Sequence, residues 1–180
     1  MADRHDEFLE FGSRVFALSA DTPPMNAAVA EKLALPFPFL ADPERDRAIT
    51  PLGFADEKDP RQISRPGTVI VSPQGEIVFS VTGRDYADRP DEDTLLEEVA
   101  RLGLDPTTQG PPEIGDVEPG PNAAVLEELF PYFRGAKFAV LAARSRYREV
   151  GQVYRDDLKT WVQMIERYVE ALTAVEQRRA

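Results

Sequence analysis

Short apolar runs punctuated by glycine and proline fill the first hundred residues, and a long helical periodicity takes over beyond residue 121. Residues 3–11 set Phe8, Leu9 and Phe11 among charges, the pattern of a helix's last turns. Gly12 follows where a helix end favours a left-handed residue. Val15-Phe16-Ala17-Leu18-Ser19 is a short apolar run suited to a buried parallel strand. Asp21-Thr22-Pro23-Pro24 predicts a helix start, a cap followed by first-turn prolines, with Val29, Leu33 and nearby alanines as the apolar face. Phe37-Pro38-Phe39-Leu40 is too rich in proline for a central strand and predicts an edge strand. Asp42-Pro43-Glu44 predicts a further short helix to about Ile49, and residues 53–64 read as loop.

The clearest local signal is a hairpin. Thr68-Val69-Ile70-Val71 and Glu76-Ile77-Val78-Phe79-Ser80-Val81 flank Ser72-Pro73-Gln74-Gly75, two β-rich runs around a Pro-x-Gly turn. Residues 91–102 then predict an amphipathic helix with Leu95, Leu96, Val99 and Leu102 inward. Proline and glycine mark 105–121 as a linker. Beyond it only helix is predicted, with Asn122 as N-cap, Leu126, Leu129, Phe130 and Phe133 as its stripe, and Pro131 as a kink or restart. The last helix carries Tyr154, Leu158, Trp161, Ile165, Tyr168, Leu172 and Val175 at alternating four- and three-residue spacings, a regular heptad seam. Such a seam serves a hairpin within one chain and a homo-oligomer equally well. The organisation expected is therefore a domain over 1–104, a linker over 105–121 and a helical extension over 122–180.

Composition narrows the chemistry. With 42% hydrophobic and 29% charged residues in 180, the chain has the make-up of a soluble domain, and a cytoplasmic location is expected. No apolar run approaches the ~20 residues of a membrane span, and the charged N-terminus is unlike a signal peptide. The net charge of −11 argues against nucleic acid as a partner. It is unevenly spread: residues 1–121 hold 24 acids and 11 bases, and residues 122–180 hold 8 acids and 10 bases. That asymmetry suits mutual attraction of the two parts, and it also suits an acidic solvated surface with an ordinary helical tail.

Zero cysteines exclude disulfides, thiolate metal sites and thiol chemistry. The lone histidine, His5, excludes a histidine-rich metal site and reads as a solvated helix residue, so no metal and no cofactor are expected. Asp156-Asp157 and Asp91-Glu92-Asp93 are the acid pairs a carboxylate-dependent hydrolase would need, but helix starts and exposed faces account for them. Arg144, Arg146 and Arg148 alternate along a helix, which spreads them around it and argues against a phosphate clamp.

Three further pieces carry a family likeness. The first is Asp6-Glu7-Phe8 with Gly12-Ser13-Arg14-Val15-Phe16-Ala17-Leu18-Ser19-Ala20-Asp21, and the second runs from Ala30-Glu31-Lys32-Leu33 through Pro36-Phe37-Pro38-Phe39-Leu40-Ala41-Asp42-Pro43. The third is Ser64-Arg65-Pro66-Gly67-Thr68-Val69-Ile70-Val71-Ser72-Pro73-Gln74-Gly75-Glu76-Ile77. In this order, from Phe8 to Leu104, they resemble the alkyl hydroperoxide reductase / thiol-specific antioxidant (peroxiredoxin) family. The resemblance implies a fold class of α/β, an incomplete thioredoxin-like (peroxiredoxin-type) fold followed by a C-terminal α-helical hairpin extension. It also implies a lineage of thiol-dependent peroxidases.

The family's peroxidatic cysteine opens a helix after the first core strand, in a Pro-x-x-x-Thr-x-x-Cys motif. Here the likeness begins at the tail of that helix, so the strand, the loop and the cysteine are all missing. Whether the chain is an enzyme is therefore open. It reads as an inactive member of the lineage or as a fragment of a longer active protein, for which Met1 lying inside a helix is the motive. A thiol reductant would be a partner only of such a longer form. The alternative is a non-catalytic binding or assembly module acting through the C-terminal helices. Arg65 stands near the family's active-site arginine, displaced by one residue, and is either its remnant or half of a surface ion pair. Pro66 resembles the cis-proline of thioredoxin-like oxidoreductases. Without the missing central strand, the runs at Phe16 and Thr68 should face a gap, unless another segment fills it or the two pair directly.

Overall fold

The computed structural model describes residues 1–83 and 88–179, which form two compact units, Met1–Gly120 and Pro121–Ala180. In the first, a 3-10 turn at Ala2–Arg4 leads into α1 (His5–Glu10). Then follow β1 (Ala17–Ser19), α2 (Pro23–Lys32), β2 (Phe39–Ala41), β3 (Gly67–Val71), β4 (Ile77–Thr82) and α3 (Glu92–Ala100). The four strands make two separate ribbons. β1 pairs with β2 in parallel, Ala17 opposite Phe39, and β3 pairs with β4 antiparallel, Thr68 opposite Val81. This is a mixed α/β unit with small sheets, consistent with a thioredoxin-like domain, followed by a helical extension.

One apolar layer serves both ribbons. Phe8 of α1 and Leu95, Leu96 and Val99 of α3 are buried with Val15 and Phe37, and Ala17, Ile70 and Phe79 pack against them. α3 starts as its sequence predicts: the Asp91 carboxylate accepts the Thr94 N–H at 2.8 Å, a standard N-cap. Gly12 takes φ +72 and ends α1, and Thr107 N–H donates to the Leu9 carbonyl at 2.9 Å. The stretch after Leu104 is thereby tied back onto α1.

Several expectations are corrected. No helix follows Asp42; residues 43–53 are turns, organised by the Asp42 carboxylate. Buried at 2% exposure, it accepts N–H bonds from Ala48 and Ile49 at 2.9 Å and from Arg47 at 3.3 Å. Three donors converging on one side chain replace the ladder a helix would have used. In α2 the buried positions are Asn26, Ala28 and Ala30, not Val29 and Leu33. Asn26 is tolerated there because Ser19 Oγ lies 2.7 Å from its Oδ1 and its Nδ2 donates to the Leu40 carbonyl at 2.8 Å. His5 is buried as well. Its Nε2 is 2.9 Å from Gln109 Oε1 and its ring lies against Phe37. The Gln109 amide also spans Val15, accepting its N–H at 2.9 Å and donating to its carbonyl at 2.7 Å.

Burial acts to raise the Asp42 pKa, but the bonds from Ile49, Ala48 and Arg47 outweigh it and hold the carboxyl below its ordinary value. A depressed folded-state pKa contributes stability that is complete above the unfolded carboxylate value, about 3.9, and is lost as pH falls through the folded value. Urea midpoints taken from pH 6 down to pH 3 should therefore drop more steeply for the wild type than for Asp42→Asn. Parallel curves would remove this account of the turn.

The second unit is a helical hairpin of α4 (Leu126–Arg146) and α5 (Gln152–Arg179). Val125, not Asn122, is the N-cap of α4, and the helix runs through Pro131. Phe133 stacks on Tyr168 with centroids 5.1 Å apart, Lys137 pairs with Glu166 at 2.6 Å, and Tyr147 meets Tyr154 edge-on at 6.3 Å. These three contacts step in opposite directions along the helices, so the pair is antiparallel. Tyr154, Leu158, Trp161, Ile165, Tyr168, Leu172 and Val175 all lie on the shielded side of α5, with Leu172 and Val175 buried and Ile165 fully so. Among the described residues no helix is long and apolar enough to cross a membrane.

Candidate functional site

The two ribbons are not joined, and a cavity of about 1390 Å³ takes in their adjoining edges. Its lining includes Phe16 and Leu18 from the β1 segment and Val69 and Val71 from β3, with Leu52 and Phe54 from the turns. Of the outcomes open for the missing strand, neither filling by another described segment nor direct pairing occurs. The gap is real.

Strand geometry shows which backbone groups face away from each ribbon. Ala17 N–H donates to the Pro38 carbonyl and Asp42 N–H to the Ser19 carbonyl, so odd residues of β1 point to β2 and Phe16 and Leu18 point away. Gly83 N–H donates to Pro66 and Ser72 N–H to Glu76, so even residues of β3 bond to β4 and Gly67, Val69 and Val71 point away. Among the described residues, no hydrogen bond reaches the outward groups of Phe16, Leu18, Val69 or Val71.

Arg65, the candidate remnant arginine, lines this cavity and is exposed. Its Nη2 donates to the Gly53 carbonyl at 2.9 Å, and its backbone N–H to the Phe54 carbonyl at 2.7 Å. Among the described residues the partner of its guanidinium is thus a carbonyl in the turns and not a carboxylate. Pro66 is corrected: among the described residues no peptide bond is cis. Pro66 leads into β3, its carbonyl accepting Gly83 N–H at 2.7 Å.

Asp59 and Arg61 form a fork at the rim, with Arg61 Nη2 2.6 Å from Asp59 Oδ2 and Arg61 Nε 2.9 Å from Oδ1. The guanidinium bond, helped by the Arg61 backbone N–H, brings the Asp59 carboxyl down to about 2 and raises Arg61. Asp59 is thus a fixed anion across the physiological range and no general acid. Among the described residues no three His, Asp or Glu side chains are placed to hold a metal ion. The acid pairs remain elsewhere: Asp91 caps α3, and Asp156 accepts from Gln152 at 2.8 Å on the exposed side of α5. Arg144, Arg146 and Arg148 are all exposed, and the Arg148 guanidinium reaches Ser145 Oγ at 3.4 Å.

Sequence reasoning missed the residues that hold the walls. Asn26, Asp42 and Gln109 act through partners that no local pattern announces; only Asp42, ahead of a proline, carries a local signal, and that signal predicts the start of a helix.

A family model described as the AhpC/TSA family matches residues 1–80. The match stops short of Leu104, so residues 81–104 rest on the resemblance alone. Neither the curated proteins nor the solved structures give a match. Residues 1–80, less than half of the chain, are thus similar to the AhpC/TSA family, and the chain holds no cysteine to serve as that family's peroxidatic residue.

Proposed function

We propose that the first unit is an incomplete thioredoxin-like fold of the peroxiredoxin type and that the chain, as it stands, does not reduce peroxides. One observation carries the reading: a chain matched to a thiol-peroxidase family over residues 1–80 contains no cysteine. Peroxide reduction by this route needs a thiolate sulfur to attack one peroxide oxygen while the O–O bond breaks and the sulfur becomes a sulfenic acid. Serine and threonine hydroxyls have neither the low pKa nor the polarisable atom for that step. An external thiol reductant then has nothing to regenerate. Arg65, as a remnant, would keep a cation beside the vacated position without a nucleophile to activate.

Consumption of hydrogen peroxide and of tert-butyl hydroperoxide with dithiothreitol present tests this. The purified chain should match its heat-inactivated control, and turnover above that control would overturn the proposal.

A further inference from the structure

α4 carries apolar residues on two opposite faces, and the hairpin uses one of them. Leu126 and Val140 are buried and Phe133 stacks on Tyr168 of α5, which defines the packed face. Positions three and four apart share a helix face, so Pro131, Tyr132, Gly135, Phe138, Ala139 and Ala142 form a second stripe on the far side. All six are exposed, Phe138 at 69% and Tyr132 at 62%.

A surface helix ordinarily sets charged residues opposite its packed face. α5 does so, with Asp156, Lys159, Arg167 and Glu170 exposed opposite its seam. On α4 the outward stripe holds no charge between Glu128 and Arg146; Arg134 flanks it, and Lys137 lies on the packed side, paired with Glu166. Gly135 is a separate observation. A glycine inside a helix costs stability relative to alanine, and here no crowding within the chain requires it, since nothing lies within 4 Å of its would-be Cβ. At the middle of an exposed apolar stripe it leaves a notch into which another backbone can come close.

The ends of the stripe say what the occupant is. Glu127 and Glu128 stand at the N-terminal end and Arg144 and Arg146 at the C-terminal end, all exposed. Among the described residues neither Glu128 nor Arg146 makes an ion pair. A second α4 laid antiparallel brings Glu128 of each copy to Arg146 of the other, whereas a parallel one sets like charge against like. The same register puts Gly135 opposite Ala139 and Tyr132 opposite Ala142, small residues at the centre and a ring over a small residue on either side. The stripe is thus complementary to itself, as a two-fold interface requires.

We infer that the outer face of α4 is a dimerisation surface whose occupant is α4 of a second copy of this chain, lying antiparallel. The α5 seam, which the sequence offers equally to a hairpin and to an oligomer, is used inside the chain, and the contact between copies is made by the other helix. The inference stands on α4 alone and does not depend on the absence of peroxidase activity.

Sedimentation equilibrium of the full chain tests it. The mass should rise with concentration from one chain to two and stop there. Phe138→Glu puts a charge on the stripe at an exposed site, so it should weaken dimerisation at least tenfold while the helical ellipticity stays that of the wild type. Gly135→Ala should leave the fold at least as stable, and its added Cβ should weaken the dimer severalfold, which keeps the test decisive should Phe138→Glu fail to fold. Glu128→Arg should weaken the dimer as well, and Arg146→Glu added to it should restore association, because the exchanged charges meet again across an antiparallel pair. A monomer at every concentration would overturn the inference, the stripe then being covered within the chain or by a different partner. So would a dimer that neither Phe138→Glu nor Gly135→Ala weakens, and a double charge exchange no better than Glu128→Arg would overturn the antiparallel register.

Discussion

Gly12→Ala is expected to destabilise the first unit by about 2–5 kcal/mol, combining left-handed strain with overpacking. Gly12 sits at φ +72, a conformation that costs a residue with a Cβ about 1–2 kcal/mol. A Cβ there would also lie 2.6 Å from the Asp105 carbonyl oxygen and 2.6 Å from Leu104 Cβ. Backbone cannot swing aside as a flexible side chain can, so α1 and the 104–107 segment must separate or shift. Gly75→Ala isolates the two parts. Gly75 has φ +86 in the β3–β4 turn, and nothing lies within 4 Å of its would-be Cβ. Urea unfolding followed by circular dichroism should show Gly75→Ala losing only the strain and Gly12→Ala losing clearly more. Equal losses would mean that the 104–107 segment does not press on Gly12.

The hairpin of the second unit should depend as strongly on one side chain. Ile165 is 0% exposed, at the middle of the α5 seam between Trp161 and Tyr168. Ile165→Ala removes three carbons from a site that the rings of Phe133 and Tyr168 and the salt bridge of Lys137 with Glu166 help to hold in place. Collapse into the space is then limited, and the loss should be about 2–5 kcal/mol. Val153→Ala on the same helix is the control, since Val153 is 78% exposed and should change stability by less than about 0.5 kcal/mol. Helical ellipticity during thermal melting reads both. A melt for Ile165→Ala that overlays the wild type would show that the seam is not what holds α4 to α5.

The glycine belongs to a class of feature that local chemistry makes legible. A helix end needs a left-handed residue, a Pro-x-Gly turn joins two strands, and a four-three spacing of apolar side chains makes a seam. Each is decided by neighbours a few residues away, and so Gly12, the 72–75 hairpin turn, the helix start at Asp91 and the α5 stripe all stand in the structure where their pattern places them. The same holds for the chemistry. A chain without cysteine has no thiolate whatever its fold.

What only the tertiary structure decided concerns polar groups whose partners are distant. His5 reads as a solvated residue, and it is buried because Gln109, 104 positions away, meets its ring nitrogen. Asn26 occupies a core position through Ser19 and the Leu40 carbonyl, and Asp42 organises a turn where its sequence suggested a helix. Pro66 is trans, and its carbonyl accepts the Gly83 N–H at the start of the β3–β4 ladder. The cavity beside the two ribbons belongs to the same class. The apolar runs at Phe16 and Val69 are visible in the sequence as strands, but whether two strands pair, or leave their edges open on a shared cavity, depends on which segments reach between them. Strand propensity is local and strand pairing is not, so the sequence names the strands while the packing over Phe8, Leu95 and Val99 decides that they remain apart.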